Sequence, residues 1–244
     1  MNSMNLNPTD FIQKHIPEMD NYIVGYADLA GLLHERYAGH PYAIIIGKKL
    51  DDDIMDRIDH GPTSEYLDLY VKENTHLDGI GAAIVTELQE NGFSAVLVQA
   101  SAPKEELSKN YESTLRSDFP HKTAATRAGL GWIGKTALLV TGKFGPRVRF
   151  VTILTDKPVG KPGKPIEESK CGSCKLCVVK CPADAATGKS WTVDVDRDEF
   201  YDAFKCRQKC KELTKEMTGR EGTICGICIS VCPYGKKSNK SAGT

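Results

Sequence analysis

The sequence lacks most of what would assign it to a membrane, a secretory route or a nucleic-acid surface. No apolar run approaches the length of a membrane span. The N-terminal stretch Met1-Asn-Ser-Met-Asn-Leu-Asn7 has neither the basic start nor the apolar core of an export signal. Charge of one sign is not in excess: 32 Lys and Arg balance 32 Asp and Glu. Net charge therefore gives no pull toward nucleic acid. No long-period repeat is present beyond two cysteine runs. These absences predict a cytoplasmic protein with no membrane contact. The 244 residues allow one large domain or two smaller ones, and 40% hydrophobic with 26% charged residues is ordinary for a globular chain.

Cysteine, by contrast, is plentiful. The run Cys171-Gly-Ser-Cys174-Lys-Leu-Cys177-Val-Val-Lys-Cys181-Pro182 is C-x2-C-x2-C-x3-C-P. In bacterial ferredoxins the first three thiolates of such a run hold one cubane and the fourth reaches the other. A second run, Cys225-Gly-Ile-Cys228-Ile-Ser-Val-Cys232-Pro233, lacks the leading cysteine. Ligand swapping gives cluster one Cys171, Cys174, Cys177 and Cys232. Cluster two takes Cys181, Cys225, Cys228 and either Cys206 or Cys210. Zinc knuckles fit this spacing badly, because they pair two separated C-x2-C units. Disulfides would need an oxidising compartment.

Before the cysteines the pattern alternates. Helices are expected over Asp28–Tyr37, Thr63–Asn91 and Pro120–Arg127. Strands are expected over Tyr42–Gly47, Phe93–Val98, Thr136–Thr141 and Arg147–Thr155. The last two would form a hairpin through Gly142–Pro146. Asp156–Ser169 reads as a linker. A helix over Asp198–Met217 carries Cys206 and Cys210 one turn apart on one face. Asp51-Asp52-Asp53 reads as a solvated turn. The expected division is 1–165 for an α/β cofactor and substrate domain, 166–236 for a ferredoxin-like α+β domain with two [4Fe-4S] clusters, and 237–244 for a flexible tail.

Gly129-Leu-Gly131-Trp-Ile-Gly134 contains G-x-G-x-x-G, but a helix precedes it and a strand follows. That is the reverse of the dinucleotide-binding order. Two readings remain. The loop lets a flat cofactor approach the backbone with Trp132 as a stacking wall, or it packs helix against strand around a buried Trp.

Arg127-Ala-Gly-Leu-Gly-Trp-Ile-Gly-Lys-Thr136, then Ile153-Leu-Thr-Asp156, then the two cysteine runs resemble epoxyqueuosine reductases, which are related to the reductive dehalogenases. The resemblance implies a corrinoid-binding, nitroreductase-like α/β domain joined to two [4Fe-4S] clusters. It implies cobalamin as cofactor, with flavin as the alternative, and an oxidoreductase activity fed by a low-potential donor of ferredoxin or flavodoxin type. A non-catalytic electron carrier is the competing function. The cofactor would lie against Ala128, Gly129, Leu130, Gly131, Trp132, Ile133, Gly134 and Lys135. Asp202-Ala-Phe-Lys-Cys206 matches the family and favours Cys206 as the eighth ligand. The family continues into a helical-repeat domain that helps hold tRNA. The absence of that continuation here makes tRNA a doubtful substrate and a small molecule the expected one. The family's catalytic Asp has no counterpart near Leu115, so Asp118 and His121 become the proton-donor candidates.

Overall fold

The computed structural model describes residues 7–103, 105 and 107–236. The expected tail, 237–244, lies outside the described residues, apart from the adjoining Lys236. The core is one four-stranded antiparallel sheet, β1 (Tyr22–Asp28), β2 (Tyr42–Lys49), β3 (Ala95–Val98) and β6 (Val148–Thr155), in the order β1-β2-β6-β3. The continuous apolar run of β2 has a physical reason: both faces of the sheet are covered. Ile44 and Ile46 join Val151 and Ile153 in one buried cluster, while Ala43 and Ile45 join Val148, Phe150 and Leu154 in another. Each fully buried isoleucine contributes about 1.5–3 kcal/mol of transfer free energy.

Helix α3 (Ser64–Glu90) covers the first face. Thr63 starts it by accepting the amide of Tyr66 at 3.2 Å, and Asn91 caps its end. Leu77, Ile84 and Leu88 face the sheet. Gly81 lets the helix lie close, since a Cβ there would come within 2.5 Å of Leu97. Its 27 residues carry it about 40 Å, well past the sheet. There Tyr66 and Leu69 pack with Leu50, Met55 and Ile58 against Ile224 and Ile229 of the second cysteine run.

The other face is covered by α5 (His121–Arg127), by the hairpin β4 (Gly131–Ile133) and β5 (Leu139–Thr141), and by Trp191, Val195, Phe200 and Tyr201. The sheet domain and the cysteine-bearing segment thus share one apolar cluster.

Several expectations need correction. Asp28–Tyr37 is not a helix: Asp28 ends β1, and only a single 3-10 turn, Glu35–Tyr37, follows. The hairpin partner of β5 is β4, within the glycine-rich segment; β6 pairs with β2 and β3 instead. Residues 156–169 are not a loose linker. Gly163 donates its amide to Tyr26 O at 2.8 Å and Ile166 to Thr126 O at 2.9 Å, which ties the segment to β1 and α5. The aspartate triplet is structural: Asp51 caps α2 (Asp52–Asp56), and Asp52 pairs with the buried Arg147 at 3.2 Å. No helix among the described residues is long and apolar enough to cross a membrane.

Candidate metal centre

The first cysteine run wraps a single short helix, α6 (Leu176–Val179), and the second wraps α8 (Ile227–Ser230), which packs on it. Gly172, at φ 53°, and Gly226, at φ 87°, make the left-handed turns that let each chain fold back on its thiols. All nine cysteines are free thiols. Cys232 is brought up against the first run. Burial pushes its thiol up to about 11, and Cys177, Cys171 and Cys174 press it in the same direction. Burial, then Cys171 and Cys174, likewise raise Cys177. These four side chains are the quartet assigned to cluster one.

The second set gathers around α7 (Ala203–Thr218), whose first turn is capped by Asp202 accepting from Phe204 N and Lys205 N. Cys206 and Cys210 lie on successive turns with their Sγ atoms 3.8 Å apart. Cys210 also hydrogen-bonds Cys225 and is raised by its two thiol partners and by burial. Cys206 is lowered, first by the hydrogen bond from Cys210 and, against burial, by that from Tyr201. Burial raises Cys228, with Cys225 and Cys206 beside it. Both thiols on α7 therefore reach this set. Cys181 sits where α6 ends, its amide on Val178 O. Among the described residues no three metal-ligating side chains converge on a point that one ion could fill. A cubane makes no such demand, because each thiolate binds its own corner iron. Soft thiols in two facing groups suit iron–sulfur clusters.

The glycine segment does not behave as an open cofactor shelf. A Cβ on Gly131 would run into the carbonyl of Val140 on β5, and one on Gly129 would come within 2.6 Å of Lys164 O. These glycines are required by neighbouring backbone. The hairpin tip points its polar groups at the cysteine segment. Trp132 Nε1 donates to Cys171 Sγ at 3.4 Å, and its ring stacks edge-on against Tyr234 at 4.9 Å. The buried Lys135 ammonium donates to Gly172 O at 2.8 Å and Cys174 O at 2.9 Å. The buried Thr136 lies beside both Cys177 and Cys228, one thiol from each set, and acts against the rise of each. Of Ala128–Lys135, Ile133 alone lines the largest cavity described.

That cavity, about 540 Å³, opens on the opposite side of the same hairpin turn, between Ala137, α5 and the segment 191–200. A second cavity of about 330 Å³ adjoins it, sharing Ser117, Pro120 and Lys122. Lys122 Nζ donates to Ala137 O at 2.7 Å. Burial, with Arg197 and Arg116 nearby, brings its pKa down to about 8. Sequence reasoning missed this residue. The available signal was its spacing from Ala125 and Thr126, at i+3 and i+4, on the buried face of α5.

The two expected proton donors fare differently. His121 borders the smaller cavity, but both ring nitrogens are engaged: Nε2 donates to Gln99 O at 2.9 Å and Nδ1 accepts from Thr152 Oγ1 at 2.8 Å. Burial takes its pKa down to about 4, so at pH 7 the ring is neutral and its one N–H is spent on Gln99 O. Asp118 lies beside a separate crevice of about 30 Å³ with Tyr37 and Phe119. It borders neither larger cavity, nor does it cap α5, whose N-cap is Pro120. These placements weigh against the proton-donor role expected of both.

Residues 170–235 match the family described as 4Fe-4S double cluster binding domain. That match names the clusters. The chain resembles the reductive dehalogenases and the epoxyqueuosine reductases. It is 31% identical over 122 residues to the tetrachloroethene reductive dehalogenase of Sulfurospirillum multivorans, covering 46% of this chain and 23% of that protein. It is 34% identical over 116 residues to the epoxyqueuosine reductase of Leadbetterella byssophila, covering 46% and 36%. The chain thus spans about a quarter to a third of the length of these relatives. A reductive dehalogenase structure described with B12-dependent dehalogenation superposes with a TM-score of 0.65 at 18% identity, over 88% of this chain and 30% of that one. An epoxyqueuosine reductase bound to a modified tRNA-Tyr stem loop gives 0.57 at 15% identity, over 94% and 66%. These likenesses establish the shared fold.

Proposed function

We propose that the protein is an iron–sulfur oxidoreductase in which two [4Fe-4S] clusters on the cysteine segment deliver single electrons to a corrinoid held in the paired cavities beside α5. One observation carries this reading: a single hairpin tip, residues 132–137, has Trp132 on Cys171 Sγ and Lys135 on Gly172 O and Cys174 O, and lends Ile133 and Ala137 to the cavity wall. The ligand assignment is Cys171, Cys174, Cys177 and Cys232 for one cluster. Cys181, Cys225, Cys228 and Cys206 hold the other, with Cys210 as the neighbouring thiol.

The cavities, about 540 and 330 Å³, share Ser117, Pro120 and Lys122 in their walls and lie in the range of cofactor sites. A corrinoid bound there would supply a strongly reducing metal centre. The chain supplies the rest. His121 keeps both ring nitrogens on Thr152 and Gln99 and offers neither to the cavity. Lys122, poised near pH 8, holds a proton at Nζ on the cavity wall and can release it to a substrate carbanion or alkoxide. Ile133, Trp191 and Phe200 give the larger cavity an apolar wall, and Arg116, Asp194, Asp196 and Arg197 line it as well. The nitroreductase-like description of the sheet domain and the division at residue 165 belong to this same proposal, as do the small-molecule substrate and the cytoplasmic setting. For electron entry, α6 presents Leu176, 50% exposed, and Val179, 77% exposed. The exposed Lys170, Lys175 and Lys180 surround them, with no acidic residue between 169 and 183. That face suits an acidic, low-potential carrier of ferredoxin or flavodoxin type.

The test is anaerobic reconstitution followed by separate titrations with cobalamin and flavin, read by visible absorbance. The proposal expects saturable cobalamin binding with a base-off spectrum. Saturable flavin binding alone would replace the cofactor, and binding of neither would leave an electron carrier.

A further inference from the structure

The hairpin tip does more than separate clusters from cavity. Trp132 carries one N–H donor, and it is spent on Cys171 Sγ at 3.4 Å. Strand β4, paired with β5, fixes the ring, and Lys135 just after it donates to Gly172 O and Cys174 O in the same cysteine loop. The indole donor is not needed to complete a ligand set, since cluster one already has its four thiols.

We infer that Trp132 is a positioning residue that sets the reduction potential of cluster one through its bond to Cys171. The inference rests on the two-cluster reading above. A hydrogen bond to a ligand thiolate stabilises the reduced, more negative cluster and raises its potential. The Trp132 bond acts on cluster one alone, so it shifts the potential of that cluster relative to the other.

The experiment is a redox titration of reconstituted protein with dithionite, followed by electron paramagnetic resonance. Iron and sulfide are measured on every sample. Trp132→Phe keeps the ring against Tyr234 and loses the donor. Cluster one should then shift by about tenfold in its reduced-to-oxidised ratio at fixed potential, ~59 mV for one electron, and cluster two should not move. On wild type, transfer to D2O should reveal an exchangeable deuteron coupled to reduced cluster one in pulsed spectra, and Trp132→Phe should lose that coupling. Full iron content with an unchanged potential in Trp132→Phe would overturn the inference while leaving the cluster reading intact. So would a coupling pattern identical in wild type and variant. Iron far below two clusters in wild type would instead defeat the two-cluster reading itself.

Discussion

The sheet domain and the cysteine segment are held together by different forces. Around β1-β2-β6-β3 the buried side chains are long and apolar, and α3 and α5 seal both faces. Between residues 170 and 235 the helices α6 and α8 have four residues each, and Leu176, Val179, Val193, Phe204 and Met217 remain exposed. The buried apolar side chains there are few: Ala185, Ala186, Phe200, Cys210 and Ile227. One region folds by excluding water. The other depends on its thiols being ligated and on docking against the hairpin and α2. The comparison explains why the site lies at their junction, where a rigid wall and a ligand-built wall face each other.

Removing iron should break the comparison most visibly. Chelation under anaerobic conditions should abolish hydrogen-exchange protection across 170–235 while β2, β6 and α3 stay protected. Uniform loss across both regions would mean that the sheet is not independently stable.

Lys122→Met comes next. If Lys122 delivers the proton, substrate reduction should fall about a hundredfold or more with clusters intact. Stability should move the other way. The folded lysine, near 8, sits below its unfolded value of about 10.4, so charging it costs stability at neutral pH. That cost is relieved as pH rises from about 8 toward 10. The variant should therefore be more stable than wild type at pH 7 and lose its advantage by pH 10, as thermal unfolding across pH would show.

Arg147→Ala tests the docking contact. The guanidinium is 1% exposed, holds Asp52 and Asp56, and donates to Ser230 O at 3.3 Å on α8. Its loss leaves Asp52 to Lys49 and takes from α8 the bond to Ser230 O, at about 1.5–3 kcal/mol. Denaturant unfolding of the holoprotein should show the loss, and iron should be released more readily.

Much of the sheet was legible in sequence because its runs have clear periods: β2 and β6 are apolar on both faces, and α3 carries both of its caps. The cysteine spacing was legible for a related reason, since ligand geometry is written directly into the intervals. What failed was whatever depends on distant partners. Strand β4 hides in Gly131-Trp-Ile133 because its β-character comes from pairing with β5. The helix expected over 28–37 yielded to a strand edge. Lys122 was passed over because lysine is a surface residue by default, and His121 was favoured because its ring partners, Thr152 and Gln99, are far away in sequence.

His121→Gln should have a smaller effect. The neutral ring, held near pKa 4, lies below its unfolded value of about 6.5. It contributes stability above pH 6.5 that is lost as pH falls toward 4. The variant should show a shallower acid-side loss by thermal unfolding, and near-normal reduction at pH 7. A collapse of reduction with stability preserved would restore it as a catalytic group. The smallest effect belongs to the surface: Lys175→Glu with Lys180→Glu should slow reduction by an acidic carrier, chiefly at low salt, without altering reduction by dithionite.

The most direct test of the junction is the resonance spectrum of the reduced clusters during an anaerobic cobalamin titration. The account predicts saturation near one cobalamin per chain and an altered cluster signal as the cavity beside Ala137 fills. A cluster spectrum that stays unchanged at saturation would contradict it, because the cofactor would then lie elsewhere.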